Sequence, residues 1–505
     1  MNKESRAKKA LVNTTSELLL EVVTAICSFI LPRLILSHFG SAYNGITTSI
    51  SQFIGCVALL KSGIGSVTRA SLYKPLAVSD YHGISEIVNA TQGFMKRIAW
   101  IFLGGVFVFA AVYPFLVSNE FSWMFSFTLV LILSAGTFVQ YYAGLSYQMV
   151  LQADQKNYII SIANIVTTIA NTLVAAVLIL SGFGIHTVKL GSAVVFSVAP
   201  IFYNVWVTRK YHIDPTVNPN TQMIAQRWDA FGQQVTNFIT LNTDVMLATV
   251  FLDIKEVSVY GIFSMITNAV KKAVMAIGSG TNAAFGNMIA KGEKVLLTKR
   301  FSQYEVLIYY VTTSLATVTA LMIVPFIRVY TKGVDDVNYD RYIFGLLMSG
   351  VLYFMCIKAP YEQLVFARGD FRQTRNSAFV EAGLNIGLSV ILVNFIGLSG
   401  LAIGTIVSLV YRIVVFHSYI SRNILDRPLW GILKKVLYSV VAIGAAWTVS
   451  LLFDYSGIDN YMQWFIAALY TTVIVLLIDS LLVFLFFPGE ARAIVDIGVR
   501  TVKRR

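Results

Sequence analysis

Glu17, Glu21, Thr24 and Ser28 stand at i, i+4, i+7 and i+11 in an apolar run near the start of the chain. That spacing sets them in one stripe along one face of a helix. Gln233, Asn237, Thr240 and Asp244 repeat the spacing, each displaced by 216 residues from its counterpart. Carboxylates in such stripes could bind a coupling cation, H+ or Na+, or pair with a neighbouring cation, while the neutral members could join helices. Arg33, Lys61, Lys271, Lys272 and Lys358 also lie in apolar surroundings. Lys and Arg bind phosphate by charge-assisted hydrogen bonds, so a phosphate-bearing anion suits these five. Simpler fates compete: Lys358 and Glu362 are spaced i, i+4 and can neutralise each other, Lys61 can snorkel to the inner headgroups, and Arg412 is expected to do so.

Other chemistry is poorly served. The five His residues, His38, His82, His186, His212 and His417, are scattered with no metal-ligand or acid–base spacing. Cys27, Cys56 and Cys356 fall in apolar runs and read as small core residues. GIGSVTRASLYKPLA, residues 63 to 77, lacks the Gly-Lys-Ser/Thr arrangement of a phosphate loop. No cofactor, metal or nucleotide site is expected.

The elements that must position these residues are membrane helices. The chain is 56% hydrophobic and 13% charged, far more apolar than a soluble globular protein. Runs of roughly 20 apolar residues, the length that crosses a bilayer, occur about fourteen times. The weakest is the seventh, because residues 226 to 244 carry Gln233, Gln234, Asn237, Asn242 and Asp244. Most of the 39 Lys and Arg fall in the even-numbered connections and both tails, which predicts an N-in, C-in topology. Lys189, Lys255, Arg328, Lys332 and Arg341 are assigned to outer loops. The net charge of +13 then reflects this bias and attraction to anionic lipid headgroups, with no nucleic-acid partner. The first span begins near residue 14, and no cleavable signal peptide is expected before it.

The repeat extends beyond the stripes. Gly45 matches Gly261, Gly63 and Gly65 match Gly278 and Gly280, and ADQKN from 153 matches GDFRQ from 369. An even number of spans per copy gives both copies one orientation, a parallel repeat used by transporters. The predicted organisation is an all-α polytopic membrane protein. Two six-helix lobes, 1–210 and 217–425, precede two extra spans, 430–487, and a basic cytoplasmic tail, 488–505. Gly63, Gly65, Gly278 and Gly280 are expected to let helices bend or approach closely.

Several stretches resemble the Wzx-type oligosaccharide flippases of the multidrug/oligosaccharidyl-lipid/polysaccharide (MOP) exporter superfamily. They are FGSAYNGITTSISQF followed by GIGSVTRASLYKPLA; TDVMLATVFLDIKEVSVYGIF with SGTNAAFGNMIA; and GDFRQTRNSAFVEAGLNIGLSVILVNFIGLSGLAIGTIVSLVYR. The resemblance is diffuse, in the right order, and covers most of residues 10 to 425. It implies two six-helix lobes, often with two further C-terminal helices. It also implies transfer of undecaprenyl-pyrophosphate-linked oligosaccharide across the bacterial cytoplasmic membrane, with other polysaccharide-assembly proteins as partners. A cationic cavity follows, for which Arg33, Lys61 and Lys358 are natural candidates. Lys61 stands where an acidic residue would be expected, which puts any carboxylate coupling scheme in doubt there.

Three rival functions make different demands. A drug or small-cation exporter of the same superfamily would prefer an acidic cavity. A membrane glycan polymerase or ligase would carry catalytic groups in a large outer loop, yet the longest here spans only about residues 329 to 341. A scaffold would pack its polar stripes dry.

Overall fold

A backbone crossing a bilayer must satisfy every N–H and C=O internally, which leaves the helix as the default for apolar runs. A computed structural model describes residues 6–57, 64–219, 242–278 and 281–503, and its regular structure is entirely helical among them. The chain divides into two compact units, Met1–Ser258 and Val259–Arg505. The first holds α1 (Arg6–Phe39), α2 (Ser41–Val57), α3 (Ile64–Val78), α4 (Tyr81–Leu116), α5 (Trp123–Val139), α6 (Leu145–Ala153), α7 (Asn157–Leu180) and α8 (Ile185–Lys210). A π-helical turn, Gln140–Gly144, joins α5 to α6. Residues 242–251 form α9, and α10 (Ile254–Ile277) begins in the first unit and continues into the second. The second unit continues with α11 (Thr281–Ala290), α12 (Lys294–Tyr330), α13 (Tyr342–Arg368), α14 (Phe371–Ile396), α15 (Leu398–Asn423), α16 (Gly431–Ser450), α17 (Tyr461–Phe486) and α18 (Pro488–Lys503).

Among the described residues, eleven helices are long and apolar enough to cross a membrane. The other three expected spans are the second, at α2 and α3, the seventh, over 226–244, and the eighth, at α10. The second and seventh include stretches outside the described residues. The eighth carries Lys255, Glu256, Lys271 and Lys272 within one helix. Helix starts follow local chemistry. Asp80 and Asn460 accept the free N–H groups of Gly83 and Gln463 at 3.0 and 2.9 Å, opening α4 and α17. Pro75 lies inside α3, which runs on to Val78.

In the first unit α1 packs on α7, α7 on α8, α8 on α5, and α5 on α4. The start of α2 lies against α9 and the first turn of α10. Asn44 Nδ2 donates to Ser258 Oγ at 2.8 Å, and the Ser49 and Thr249 hydroxyls meet at 2.8 Å. Gly45 makes the approach close, since a Cβ there would collide with the Ile254 carbonyl oxygen. Gly45→Ala is therefore expected to cost about 1–3 kcal/mol through forced backbone shifts, read as a lowered unfolding temperature in lipid nanodiscs. An unchanged temperature would contradict this packing.

The second unit is built around α12, which packs on α11, α13, α16, α17 and α18. The tail beyond α17 is itself a helix, held by Ser302 Oγ donating to Glu490 Oε1 at 3.1 Å, with Phe487 and Ala491 buried. Both units use a similar device at a loop between two helices. Asp154 accepts the Tyr211 hydroxyl at 2.6 Å and pairs with Lys156 at 2.6 Å. Asp370, displaced by the same 216 residues, accepts the Tyr419 hydroxyl at 2.9 Å and pairs with Arg368 at 3.3 Å.

Candidate functional site

Four helices of the second unit bring charge together. Lys271 and Lys272 come from α10, Lys358 and Glu362 from α13, Glu381 from α14 and Arg412 from α15. Glu381 is the anchor, 3% exposed. A carboxylate so buried must be paired. Its Oε1 accepts Lys358 Nζ at 3.0 Å, and its Oε2 faces Arg412 Nε at 3.3 Å. Lys358 thus pairs with Glu381 on the next helix and not with Glu362 one turn away. The deeper carboxylate has the greater need of a cation.

Arg412 does not snorkel. It is 5% exposed, its Nη1 donates to the Thr374 carbonyl at 3.0 Å and to Ser377 Oγ, and its guanidinium lies 4.0 Å above the Phe416 ring. Glu362 is within electrostatic reach of Arg412, and Lys271 of both Lys272 and Lys358. Among the described residues the cluster therefore sets Lys271, Lys272, Lys358 and Arg412 against Glu362 and Glu381. Lys271, half-buried, and Lys272, exposed, are the members nearest open space.

Close packing supports these helices. At the α10–α11 junction, a Cβ on Gly278 would collide with the Tyr304 hydroxyl and lie 3.0 Å from Gln363 Nε2. Gln363 Oε1 accepts both the Tyr304 and Thr281 hydroxyls, at 2.8 and 3.1 Å. Gly65, in α3, would place a Cβ 3.4 Å from Arg69 Nη1.

In the first unit, Glu17, Glu21 and Ser28 are exposed and Thr24 is half-buried, all on one face of α1. A separate face of α1 exposes Leu18, Leu19, Val22 and Ile26. Arg33 is half-buried after Pro32, and Asp244 is buried in α9. Lys61, Gly63, Gln233, Asn237, Thr240 and Gly280 lie outside the described residues.

Sequence reasoning missed a second charged group. Glu305 of α12 is fully buried and accepts Arg427 Nη1 and Nη2 at 2.7 and 3.1 Å, Lys435 Nζ at 2.9 Å and the Tyr361 hydroxyl at 2.6 Å. It also missed Asp479 of α17, 1% exposed, which accepts the Ser314 hydroxyl at 2.5 Å. A lone acid in so apolar a helix was a readable signal. Lys189, assigned above to an outer loop, belongs to α8. An apolar cavity of about 400 Å³ lies between α12, α13, α15 and α16, lined by residues including Ala320, Phe354, Val436 and Trp447.

No family model and no curated protein sequence matches the chain. Solved structures do. The lipid II flippase MurJ in an inward closed conformation superposes with a TM-score of 0.71 at 13% identity, covering 94% of this chain and 99% of that one. An inward-facing multidrug resistance MATE family transporter of the MOP superfamily gives 0.60 at 12% identity, covering 82% and 98%. A MOP superfamily transporter from Pyrococcus furiosus, described as having a binding pocket of reverse polarity that suggests a different function, gives 0.54 at 12% identity, covering 83% and 95%. The fold is that of MOP superfamily flippases and transporters, and the protein is a multi-pass membrane protein.

Proposed function

We propose that this chain, with the fold of MOP flippases and transporters, translocates undecaprenyl-pyrophosphate-linked oligosaccharide from the inner to the outer leaflet of the bacterial cytoplasmic membrane. Such a step serves synthesis of a cell-surface polysaccharide and proceeds by alternating access without enzymatic chemistry. The observation that carries the reading is the excess of cations around Glu381, where Lys271, Lys272, Lys358 and Arg412 outnumber Glu362 and Glu381. A pyrophosphate is the natural ligand of such an excess. Arg33 and Lys61 are proposed as further phosphate ligands. The stripe Glu17, Glu21, Thr24 and Ser28, with Gln233, Asn237, Thr240 and Asp244, is assigned to a wet path for sugars and a coupling ion. Gly63, Gly65, Gly278 and Gly280 serve close packing and bending. The apolar cavity between α12, α13, α15 and α16 suits a segment of isoprenoid chain.

Cation excess also weighs against export of organic cations, which a positive site would repel. The test is flipping of a fluorescent undecaprenyl-pyrophosphate oligosaccharide in proteoliposomes, with and without an imposed potential or ion gradient. Flipping by the natural protein, reduced about tenfold or more in Arg33→Ala, Lys61→Ala and Lys271→Ala, is expected on the scale of one lost charge-assisted hydrogen bond. Absence of flipping together with export of an organic cation would replace this reading with the exporter.

A further inference from the structure

The first unit contains a polar groove that the phosphate site does not use. Its volume is about 290 Å³, and α5, the π-turn, α6, α7 and α8 line it. Lys189, Gln140, Gln148, Asn164 and Tyr203 supply its polar surface, with Phe196 beside them. Among the described residues, no carboxylate lines it. Among the described residues Lys189 makes no hydrogen bond or ion pair, and the Gln140 and Gln148 side-chain amides make no hydrogen bond. Asn164 Oδ1 accepts the Tyr203 hydroxyl at 3.2 Å, which turns its amide N–H groups to other work.

The groove is built to face inward. Along α8, Leu190, Val194, Val198, Ile201 and Val205 form one exposed apolar stripe. At 100° per residue, Lys189, Ser192, Phe196 and Tyr203 fall on the opposite face. Phe196 is nevertheless 44% exposed, so the groove is open on the side away from the apolar stripe. Two backbone irregularities adjoin it. The π-turn adds a residue to one turn between α5 and α6, a distortion that frequently accompanies function. Pro200 packs on Gly144, where a Cβ would lie 2.5 Å from the Pro200 Cβ, and it deprives the Phe196 carbonyl of its helical N–H.

We infer that this groove binds one carboxylated sugar ring, a uronate, of the translocated glycan. The inference rests on the flippase reading for the identity of its ligand. The groove offers one positive charge, several amide groups, a phenol and an aromatic face. A single cation matches a carboxylate, whereas the more highly charged pyrophosphate is better met by the four cations around Glu381. The amides match ring hydroxyls, and Phe196 offers a flat surface to the C–H face of the ring. The volume sits at the lower end of small-ligand sites, roughly 300–1,000 Å³, and so favours one ring over an oligosaccharide.

The test is equilibrium binding to the full chain in lipid nanodiscs, comparing methyl glucuronide with methyl glucoside. The glucuronide is expected to bind about tenfold or more tightly, the scale of one charge-assisted hydrogen bond. Lys189→Gln should abolish that preference and Gln148→Leu should weaken binding of both sugars. Leu190→Met, on the outward face, should change neither. Equal binding of the two glycosides, binding of neither, or tighter competition by inorganic phosphate than by glucuronide would overturn the assignment. Glucuronide binding without lipid-linked glycan flipping would sink the flippase reading and leave the site standing. Flipping with no glucuronide preference would do the reverse.

Discussion

Glu305→Ala is expected to lower stability of the second unit by about 3–5 kcal/mol, the cost of breaking a buried ion pair from one side. The carboxylate is fully buried and serves Arg427, Lys435 and Tyr361 together. Removing it leaves two cations facing each other without a counter-charge. Arg427 lies in the link between α15 and α16, and Lys435 lies in the first turns of α16, so the loss should free α16 from α12. His417, whose Nδ1 sits 3.4 Å from Arg427 Nη2, would lose its fixed neighbour as well. Glu305→Gln should fall between Ala and the natural residue, because it keeps an acceptor for Tyr361 but not the charge. The measurement is thermal unfolding in nanodiscs. Equal unfolding temperatures for the natural chain and Glu305→Ala would show that the cluster is solvated and contributes nothing.

What was legible in the sequence is what depends on period and composition. The apolar runs marked the helices, and the polar stripe of α1 lies on a face apart from its apolar one. At one pair of positions 216 residues apart the side chains have like partners, Asp154 accepting the Tyr211 hydroxyl and Asp370 the Tyr419 hydroxyl, although the tyrosines are only 208 residues apart. Partner choice was not legible. Lys358 has an acid four residues on, at the right spacing, yet pairs with Glu381 on another helix, since burial ranks acids by need and a sequence does not display burial. Glu305 escaped notice because its two cations lie more than a hundred residues later, outside any apolar-run argument. Lys189 was misassigned because SGFG at 181–184 reads as a loop of unknown length, and α8 begins only four residues before it.

The shared carboxylate Glu381 allows function and stability to be separated within one ion pair. Lys358→Gln should reduce lipid-linked glycan flipping about 10- to 100-fold, the equivalent of one charged hydrogen bond to pyrophosphate at roughly 1.5–3 kcal/mol. It should change the unfolding temperature little, because Arg412 remains to neutralise Glu381 at 3.3 Å. Arg412→Gln should do the opposite in stability. Arg412 also donates to the Thr374 carbonyl and to Ser377 in the first turns of α14 and covers the Phe416 ring, so its loss frees several buried groups at once. Glu381→Gln should destabilise too, since it leaves Lys358 and Arg412 as buried like charges. If Lys358→Gln unfolds as readily as Arg412→Gln and flips normally, Lys358 is a structural cation and the phosphate assignment must pass to Lys271 and Lys272. If it flips poorly while folding normally, the lysine that Glu381 holds in place is free to exchange its partner for a phosphate, which is what a transient ligand site requires.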